Sequence, residues 1–528
     1  MRWCAVWFLL LSASCVSAEV FTALADLEEL LDTEAVFIQA LENFVVQTEA
    51  RVAELKRKAE EYKNEHRIAS NDVSEYLSNP INAYLLVKRL TTDWKTTERL
   101  MSDDISKEAL RNMTEIRKFM KSPTDEDLTG AAIALIRLQD TYKIDTASLA
   151  KGELNGIQYA TQLSAGDCFE LGRQSYNHQD FYHTVLWMSE ALNRHEREKN
   201  NTETARWEIL EYLAYSTYMQ GNVPGALAMT DELLEIFPDH PRAIGNRVYY
   251  LKAIEKGVPK EQKATEEKEE PQYDQPLERE LYEMACRNAV SPPISITSKL
   301  KCRYVDNGVP FLKLAPFKEE EAYLNPRIVL FREAMYDSEI EVIKKMALPR
   351  LRRATVQNHK TGELETAHYR ISKSAWLKEE EHPVVDAVAK RVEDMTKLSV
   401  SSAEELQVVN YGIGGHYEPH FDFARKDEKN AFDSLGTGNR IATILFYMSD
   451  VAQGGATVFP NLRLALWPEK GTAAFWYNLF PDGEGDYNTR HAACPVLAGS
   501  KWVSNKWLHE RDQEFKRPCE LTPSNAID

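Results

Sequence analysis

His420-Phe421-Asp422 stands in a run from Tyr417 to Phe423 that alternates as a strand does. With a period of two, the imidazole and the carboxylate leave such a strand on the same face. Arg490-His491-Ala492 follows downstream, and Lys501 stands ten residues beyond His491. Two imidazoles and one carboxylate on an all-β scaffold form a facial set of ligands that holds Fe(II) and leaves positions open for a cosubstrate and O2. The keto and carboxylate oxygens of 2-oxoglutarate would take two of them. Its far carboxylate then needs a buried cation, and Lys501, one strand after the distal imidazole, is the natural one.

A His-x-Asp triplet alone says little. With twelve His in the chain and roughly six per cent Asp at any position, about 0.7 such triplets arise by chance. His178-Gln179-Asp180 is a second copy, placed at a helix-to-helix turn where Asp180 reads as a helix N-cap. His416-Tyr417-Glu418 shares the strand face of the first copy and stays open as an alternative pair. The specific signal is the whole set: strand triplet, distal His491, and Lys501.

The elements that must position these residues are short strands broken by Gly-rich turns. The pattern predicts strands at Leu406–Tyr411, Tyr417–Phe423, Ile441–Met448, Ala456–Phe459, Thr472–Tyr477 and Lys501–Leu508. Many short antiparallel strands point to a double-stranded β-helix, or jelly roll. This catalytic domain is placed at 326–528, with its core at 404–519. Ahead of it lie a connector at 277–325 and a charged, Pro-punctuated linker at 257–276, which would make the preceding helices a separate module.

Those helices, at 160–256, carry a tetratricopeptide-like pattern. Leu213, Gly221, Ala226 and Pro238 match one unit, and Leu171-Gly172 with Ala191 suggest another. A helix at Arg242–Ile254 would cap them. The region is dense in tyrosine: Tyr212, Tyr215 and Tyr218 recur along one helix, joined by Tyr176, Phe181, Tyr182, Tyr249 and Tyr250. Such rings either fill the space between helices or dock an extended proline-rich chain, whose polyproline helix binds aromatic grooves at low entropic cost. Arg242 and Asn246, one turn apart, could hydrogen-bond the peptide's carbonyls.

Residues 19–150 read as helical throughout. Leu24, Leu27, Leu31, Phe37, Leu41, Phe44, Val45, Val52 and Leu55 form an apolar stripe with no Gly or Pro from Glu19 to Asn79. The stripe either folds back on helices at 81–120 and 125–140 or pairs with a second copy as a coiled coil.

The whole chain has 528 residues, too many for one core. Its 64 basic and 82 acidic residues leave a net charge of −18, which argues against nucleic acid or an anionic membrane as partner. Residues 1–18, a charged start, a short apolar stretch and a small-residue end, read as a secretory signal. The acceptors Asn112 and Asn200 fit a lumenal, glycosylated protein. Five cysteines remain after residue 18. Local pairing would join Cys286 to Cys302 and Cys494 to Cys519 and leave Cys168 as a buried small residue.

Several stretches resemble the α subunit family of the collagen prolyl 4-hydroxylases. They read Glu-Glu-Leu-Gln-Val-Val-Asn-Tyr-Gly, Tyr-Glu-Pro-His-Phe-Asp-Phe-Ala-Arg, Gly-Asn-Arg-Ile-Ala-Thr, Gly-Gly-Ala-Thr-Val-Phe-Pro and Trp-Val-Ser-Asn-Lys-Trp-Leu-His-Glu. The resemblance implies a procollagen-proline 4-dioxygenase with His420, Asp422 and His491 on iron and Lys501 on 2-oxoglutarate. Tyr411 and Thr457 would flank the cosubstrate, and His509 would tune its binding or decarboxylation. It further implies that 160–256 binds the peptide substrate, with Arg242, Asn246 and Tyr249 at its groove. L-ascorbate would rescue oxidised iron. Protein disulfide isomerase would serve as the β subunit of an α2β2 tetramer in the endoplasmic reticulum lumen, the α subunits meeting through their N-terminal helices. The same chemistry on another proline-rich protein or on lysine, and a non-catalytic scaffold for proline-rich chains, are the rival readings.

Overall fold

The computed structural model describes residues 19–521 apart from 103–104, 160, 199–203, 257–275, 358–363, 427, 429–431 and 433–434. The expected signal segment, the linker up to residue 275 and the Asn200 acceptor lie outside them. Two compact units are present, one of Asp26–Thr124 and one joining Glu19–Ala25 to the chain from Asp125 onward.

In the first unit α1 (Leu24–Asn71) runs unbroken for 48 residues, as a stretch free of Gly and Pro allows. The chain then folds back through α2 (Val73–Ser78), α3 (Pro80–Lys88), a π-helical turn at Arg89–Asp93, α4 (Trp94–Ser102) and α5 (Ile105–Phe119). Tyr62 stacks on Trp94 with ring centroids 5.1 Å apart, and Arg89 pairs with Glu65 at 3.3 Å. The first half of α1 is met as well, where Thr33 donates to the Lys121 carbonyl at 2.9 Å and Arg117 lies 5.6 Å from the Phe37 ring centroid. Leu31, Ile38, Leu41, Val45 and Val52 stay exposed. The chain thus folds back on part of the stripe and leaves part of it exposed. Asn112 sits on the exposed side of α5.

The second unit begins with α6 (Asp125–Tyr142) and α7 (Thr146–Ala150), followed by the helical hairpins. These are α8 (Ala165–Asn177) with α9 (Phe181–Arg197), α10 (Arg206–Met219) with α11 (Val223–Ile236), and the capping α12 (Pro241–Glu255). Asp180 is the N-cap of α9, its carboxylate accepting from the His183 amide. His178-Gln179-Asp180 is thus a turn. The buried His183 imidazole bridges Asp180 at 2.8 Å and Asp140 of α6 at 2.9 Å, tying the hairpins to what precedes them.

The β-rich part is two facing antiparallel sheets. The larger has nine strands in the order Cys302–Val305, Phe317–Tyr323, Ile328–Arg332, Ala473–Tyr477, Arg440–Tyr447, Trp502–His509, Leu406–Asn410, Lys373–Leu377 and Arg352–Arg353. The smaller has four: Tyr417–His420, His491–Ala493, Thr457–Phe459 and Leu464–Leu466. Strand period two divides the central strand. Ala442, Ile444 and Phe446 face the helices Asp337–Ala347 and Pro383–Thr396, while Leu445 and Tyr447 face the smaller sheet.

The helical hairpins are not a detached module. A single apolar core runs from Trp187, Ile209 and Leu213 through Leu138 and Tyr142 of α6 and Tyr282 of α13 (Pro276–Cys286) to Ala456, Val458 and Ala492 of the smaller sheet. The helices on either side of the charged linker, α12 and α13, belong to one compact unit.

The disulfide expectation also needs correction. Cys286 bonds Cys494, 208 residues away, because α13 brings its last residue to the end of the strand that starts with the distal histidine. Cys302, on the edge strand, and Cys519 are exposed free thiols. Cys168 is buried and free, and burial pushes its thiol up to about 12, so it acts as a small core residue.

Seven residues at the start of the second unit strap its sheet. The Ile413 amide donates to the Phe21 carbonyl (3.1 Å), the Ala25 amide to Asn410 Oδ1 (3.2 Å), and Val20, Thr22 and Ala23 are fully buried. A Cβ on Gly412 would lie 2.0 Å from the Phe21 carbonyl oxygen. Gly412→Ala should therefore lower unfolding stability by about 1–3 kcal/mol, the usual cost of overpacking a fixed backbone contact. Chemical denaturation checks this, and an unchanged midpoint would show that the strap does not press on this strand.

Candidate metal centre

His420 and His491 are cross-strand partners in the smaller sheet. The strand ends at His420, so Asp422 reaches the site from the bend that follows and not from the continuous strand expected. The three still converge. One ligand atom from each of His420, Asp422 and His491 lies within 4.8 Å of the others, the only such group among the described residues. His420 Nε2 is 3.7 Å from Asp422 Oδ1, and His491 Nε2 is 3.6 Å from Oδ2.

The tautomers follow from the hydrogen bonds. His420 Nδ1 donates to the Glu418 carbonyl (2.7 Å) and His491 Nδ1 to the Thr489 carbonyl (2.9 Å). A carbonyl only accepts, so both Nδ1 atoms carry a proton and both Nε2 atoms are turned to the centre, the edge that metal ligation uses. Burial, reinforced by the neighbouring His491, holds the His420 imidazole neutral well below its usual range. Burial would raise Asp422, but His491, His420 and Arg440 outweigh it and bring the carboxyl to about 2. Thr443 Oγ1 donates to Asp422 Oδ2 at 2.7 Å, and Asn478 Nδ2 donates to that hydroxyl at 2.9 Å. The carboxylate is ionised and fixed.

The cavity at this centre is lined by Tyr411, Leu445, Thr457, Trp476 and Ala493, with Lys501 among them. Lys501 is buried, and its ammonium lies 4.9 Å over the Tyr411 ring. Burial alone moves it, down to about 7, since no carboxylate of the described residues pairs with it. A buried cation lacking a counter-charge suits one end of a dicarboxylate, and two imidazole Nε2 atoms converging with one carboxylate suit a divalent cation. The residues fit Fe(II) and 2-oxoglutarate.

Other expected residues are placed differently. His416 is buried, and its Nε2 lies 4.0 Å from Glu418, so this pair stays apart from the centre. His509 does not line the cavity. It bonds Glu404 at 3.0 Å, Glu404 grips Arg440, and Arg440 reaches the Asp422 carbonyl at 3.4 Å. Thr443, Asn505, Trp507 and Arg370 also line the cavity. Strand periodicity could have found the first three. Arg370, whose guanidinium sits 4.7 Å over Tyr417, carries no local signal in the sequence. A polar recess of about 460 Å³ opens beside the centre, lined by Phe423, Arg425, Lys426, Asn439 and Tyr487.

In the hairpins an aromatic ladder links Tyr212 to Tyr176 (4.9 Å), Tyr176 to Tyr215 (5.8 Å), Tyr215 to Tyr218 (6.3 Å) and Tyr218 to Tyr249 (5.6 Å). Tyr250 is buried and belongs to the core, whereas Tyr249 is exposed and its hydroxyl accepts from Tyr218 at 3.2 Å. Arg242 leans on Glu211 at 2.7 Å with most of its side chain exposed, and Asn246 is half-buried on the same helix. Tyr182 is exposed and contacts His183 rather than the ladder.

Family comparison accounts for most of the chain. Residues 23–156 match the prolyl 4-hydroxylase alpha-subunit N-terminal region, 165–256 the prolyl 4-hydroxylase peptide-substrate-binding domain, and 406–509 the 2OG-Fe(II) oxygenase superfamily. The chain is 51% identical to prolyl 4-hydroxylase subunit alpha-2 of Caenorhabditis elegans, covering 98% of this chain and 96% of that one. It is 49% identical to subunit alpha-1 of Homo sapiens, covering 98% and 99%. The chain belongs to the prolyl 4-hydroxylase alpha-subunit family. Among solved structures, the viral collagen prolyl hydroxylase of Paramecium bursaria Chlorella virus-1 covers 34% of this chain and 94% of its own at 25% identity, with a TM-score of 0.27.

Two measurements probe this centre. Replacing His420, Asp422 or His491 by Ala should abolish Fe(II) binding in anaerobic calorimetry, while His178→Ala should bind as the wild type does; the reverse pattern would move the site. If Lys501 holds the far carboxylate, 2-oxoglutarate binding should depend on pH. An anion favours the protonated ammonium, so affinity should be full below pH 7 and weaken by up to about tenfold per unit above it, with proton uptake on binding. Lys501→Arg should flatten that profile, because a guanidinium stays charged throughout. A flat wild-type profile from pH 6 to 9 would remove Lys501 from the binding site.

Proposed function

We propose that this prolyl 4-hydroxylase alpha subunit hydroxylates C4 of prolyl residues in procollagen-like X-Pro-Gly chains, in the endoplasmic reticulum lumen. The observation that carries the reading is the meeting of a His420-Asp422-His491 ligand set and an uncompensated buried Lys501 in one cavity. Bound Fe(II), with 2-oxoglutarate and O2, supplies the oxidising power, and the prolyl C4–H becomes C4–OH while 2-oxoglutarate leaves as succinate and CO2.

The chain's own side chains bind, orient and keep water out. His420 and His491 offer Nε2, and Asp422 offers a carboxylate oriented by Thr443. Lys501 takes the far carboxylate of the cosubstrate beside Tyr411 and Thr457. Leu445, Trp476 and Ala493 wall the cavity with apolar surface. His509 acts at one remove, through Glu404 and Arg440. The recess at Arg425 and Tyr487 is the approach for the peptide.

The ladder of half-buried and exposed tyrosines supports a seat for a polyproline-like chain, with Arg242 and Asn246 at its edge. The exposed part of the α1 stripe supports pairing with a second copy. Protein disulfide isomerase completes the assembly as β subunit, and L-ascorbate restores oxidised iron.

Release of CO2 from labelled 2-oxoglutarate should rise sharply with (Pro-Pro-Gly)n and not with a lysine-rich peptide. Stimulation by the latter, or by neither, would favour the rival readings. Tyr249→Ala and Tyr215→Ala should raise KM for long proline-rich peptides about tenfold, or 1.4 kcal/mol, with kcat nearly unchanged. Unchanged KM would return these rings to packing.

A further inference from the structure

Helix α13, which opens the chain's return from the linker, sends one side chain toward the metal centre. Glu278 Oε1 accepts from Arg490 Nε at 2.5 Å, and both side chains are about 10% exposed. The other oxygen, Oε2, is buried without a hydrogen bond. Arg490 directly precedes His491. Its guanidinium also lies 5.0 Å from the centroid of Phe421, the residue between His420 and Asp422. One buried cation thus touches both ligand-bearing segments, and the carboxylate that neutralises it comes from a different part of the chain.

The geometry points to Glu278 as a positioning residue for the iron centre, acting through Arg490. The pair does two things. It holds the guanidinium in the orientation that stacks on Phe421 and anchors the backbone entering His491. It also sets a carboxylate against the guanidinium's positive charge near a site meant for a divalent cation. Outer partners of this kind set ligand orientation and metal affinity. A guanidinium left buried without its carboxylate must shift or draw in water. Either change reaches His491 along the chain and Phe421 through the ring.

This inference rests on the iron assignment above. Its test is anaerobic calorimetry of Fe(II) binding to the full-length apoprotein, with no turnover involved. Glu278→Gln should weaken Fe(II) by about 10- to 100-fold, the range typical of outer-shell partners. Glu278→Asp, which keeps the charge, should recover most of the affinity. Glu278→Gln with Arg490→Gln, which removes both charges, should bind better than Glu278→Gln alone, a non-additivity that a general loss of stability does not produce. Arg490→Lys supplies a second arm should Glu278→Gln fail to fold, and should weaken Fe(II) in the same direction.

His491→Ala separates the two claims. If it loses iron while Glu278→Gln and Arg490→Lys stay within about twofold of wild type, below the 10-fold floor expected of such partners, the positioning role is wrong and the centre stands. If His491→Ala keeps wild-type affinity, the centre itself is misassigned.

Discussion

The antiparallel pairing of His420 with His491 is the constraint on which the rest depends. Two imidazoles can face one ion from paired strands only if the register is fixed, since a one-residue slip of either strand turns its imidazole away. Several features hold that register. Tyr417 stacks on the His420 ring at 3.6 Å, Trp476 closes on His491 at 4.8 Å, and the two backbone carbonyls pin the Nδ1 protons. The third ligand needs no strand of its own. Asp422 is held from the facing sheet by Thr443, so the metal centre forms only when the two sheets close.

Charge is handled differently at the two ends of the cavity. At the metal end, a fixed carboxylate and two imidazoles turn their ligand atoms to one point. At the far end, Lys501 stands buried with burial alone acting on it, a state that costs stability until an anion arrives. In the proposed reading, the far carboxylate of 2-oxoglutarate supplies the missing counter-charge. Lys506 makes the contrast plain. It is buried to the same degree on the strand that begins just after Lys501, but Glu379 at 2.6 Å and the Glu404 carbonyl at 2.9 Å already satisfy it.

Much of the centre was legible in the sequence because its information is local. The triplet, the distal histidine and Lys501 lie within 82 positions, and each predicted strand matches an observed one to within a few residues. What escaped the sequence was non-local. The Cys286–Cys494 bond spans 208 residues, and no spacing rule favours it over a near neighbour. The charged linker suggested separate modules because composition reports only that a segment is solvated, not where its ends return. The tyrosines were ambiguous for a third reason: the same helical period serves core and groove, and only burial assigns Tyr250 to one and Tyr249 to the other.

The central claim is that one centre, built from two imidazoles and one carboxylate, holds the iron. X-ray absorption at the iron edge of the full-length protein loaded anaerobically with one equivalent of Fe(II) addresses it directly. Two imidazole ligands with oxygen in the remaining positions is the predicted result, and added 2-oxoglutarate should replace water oxygens without displacing either imidazole. A spectrum with no imidazole, or with more than two, would contradict the account.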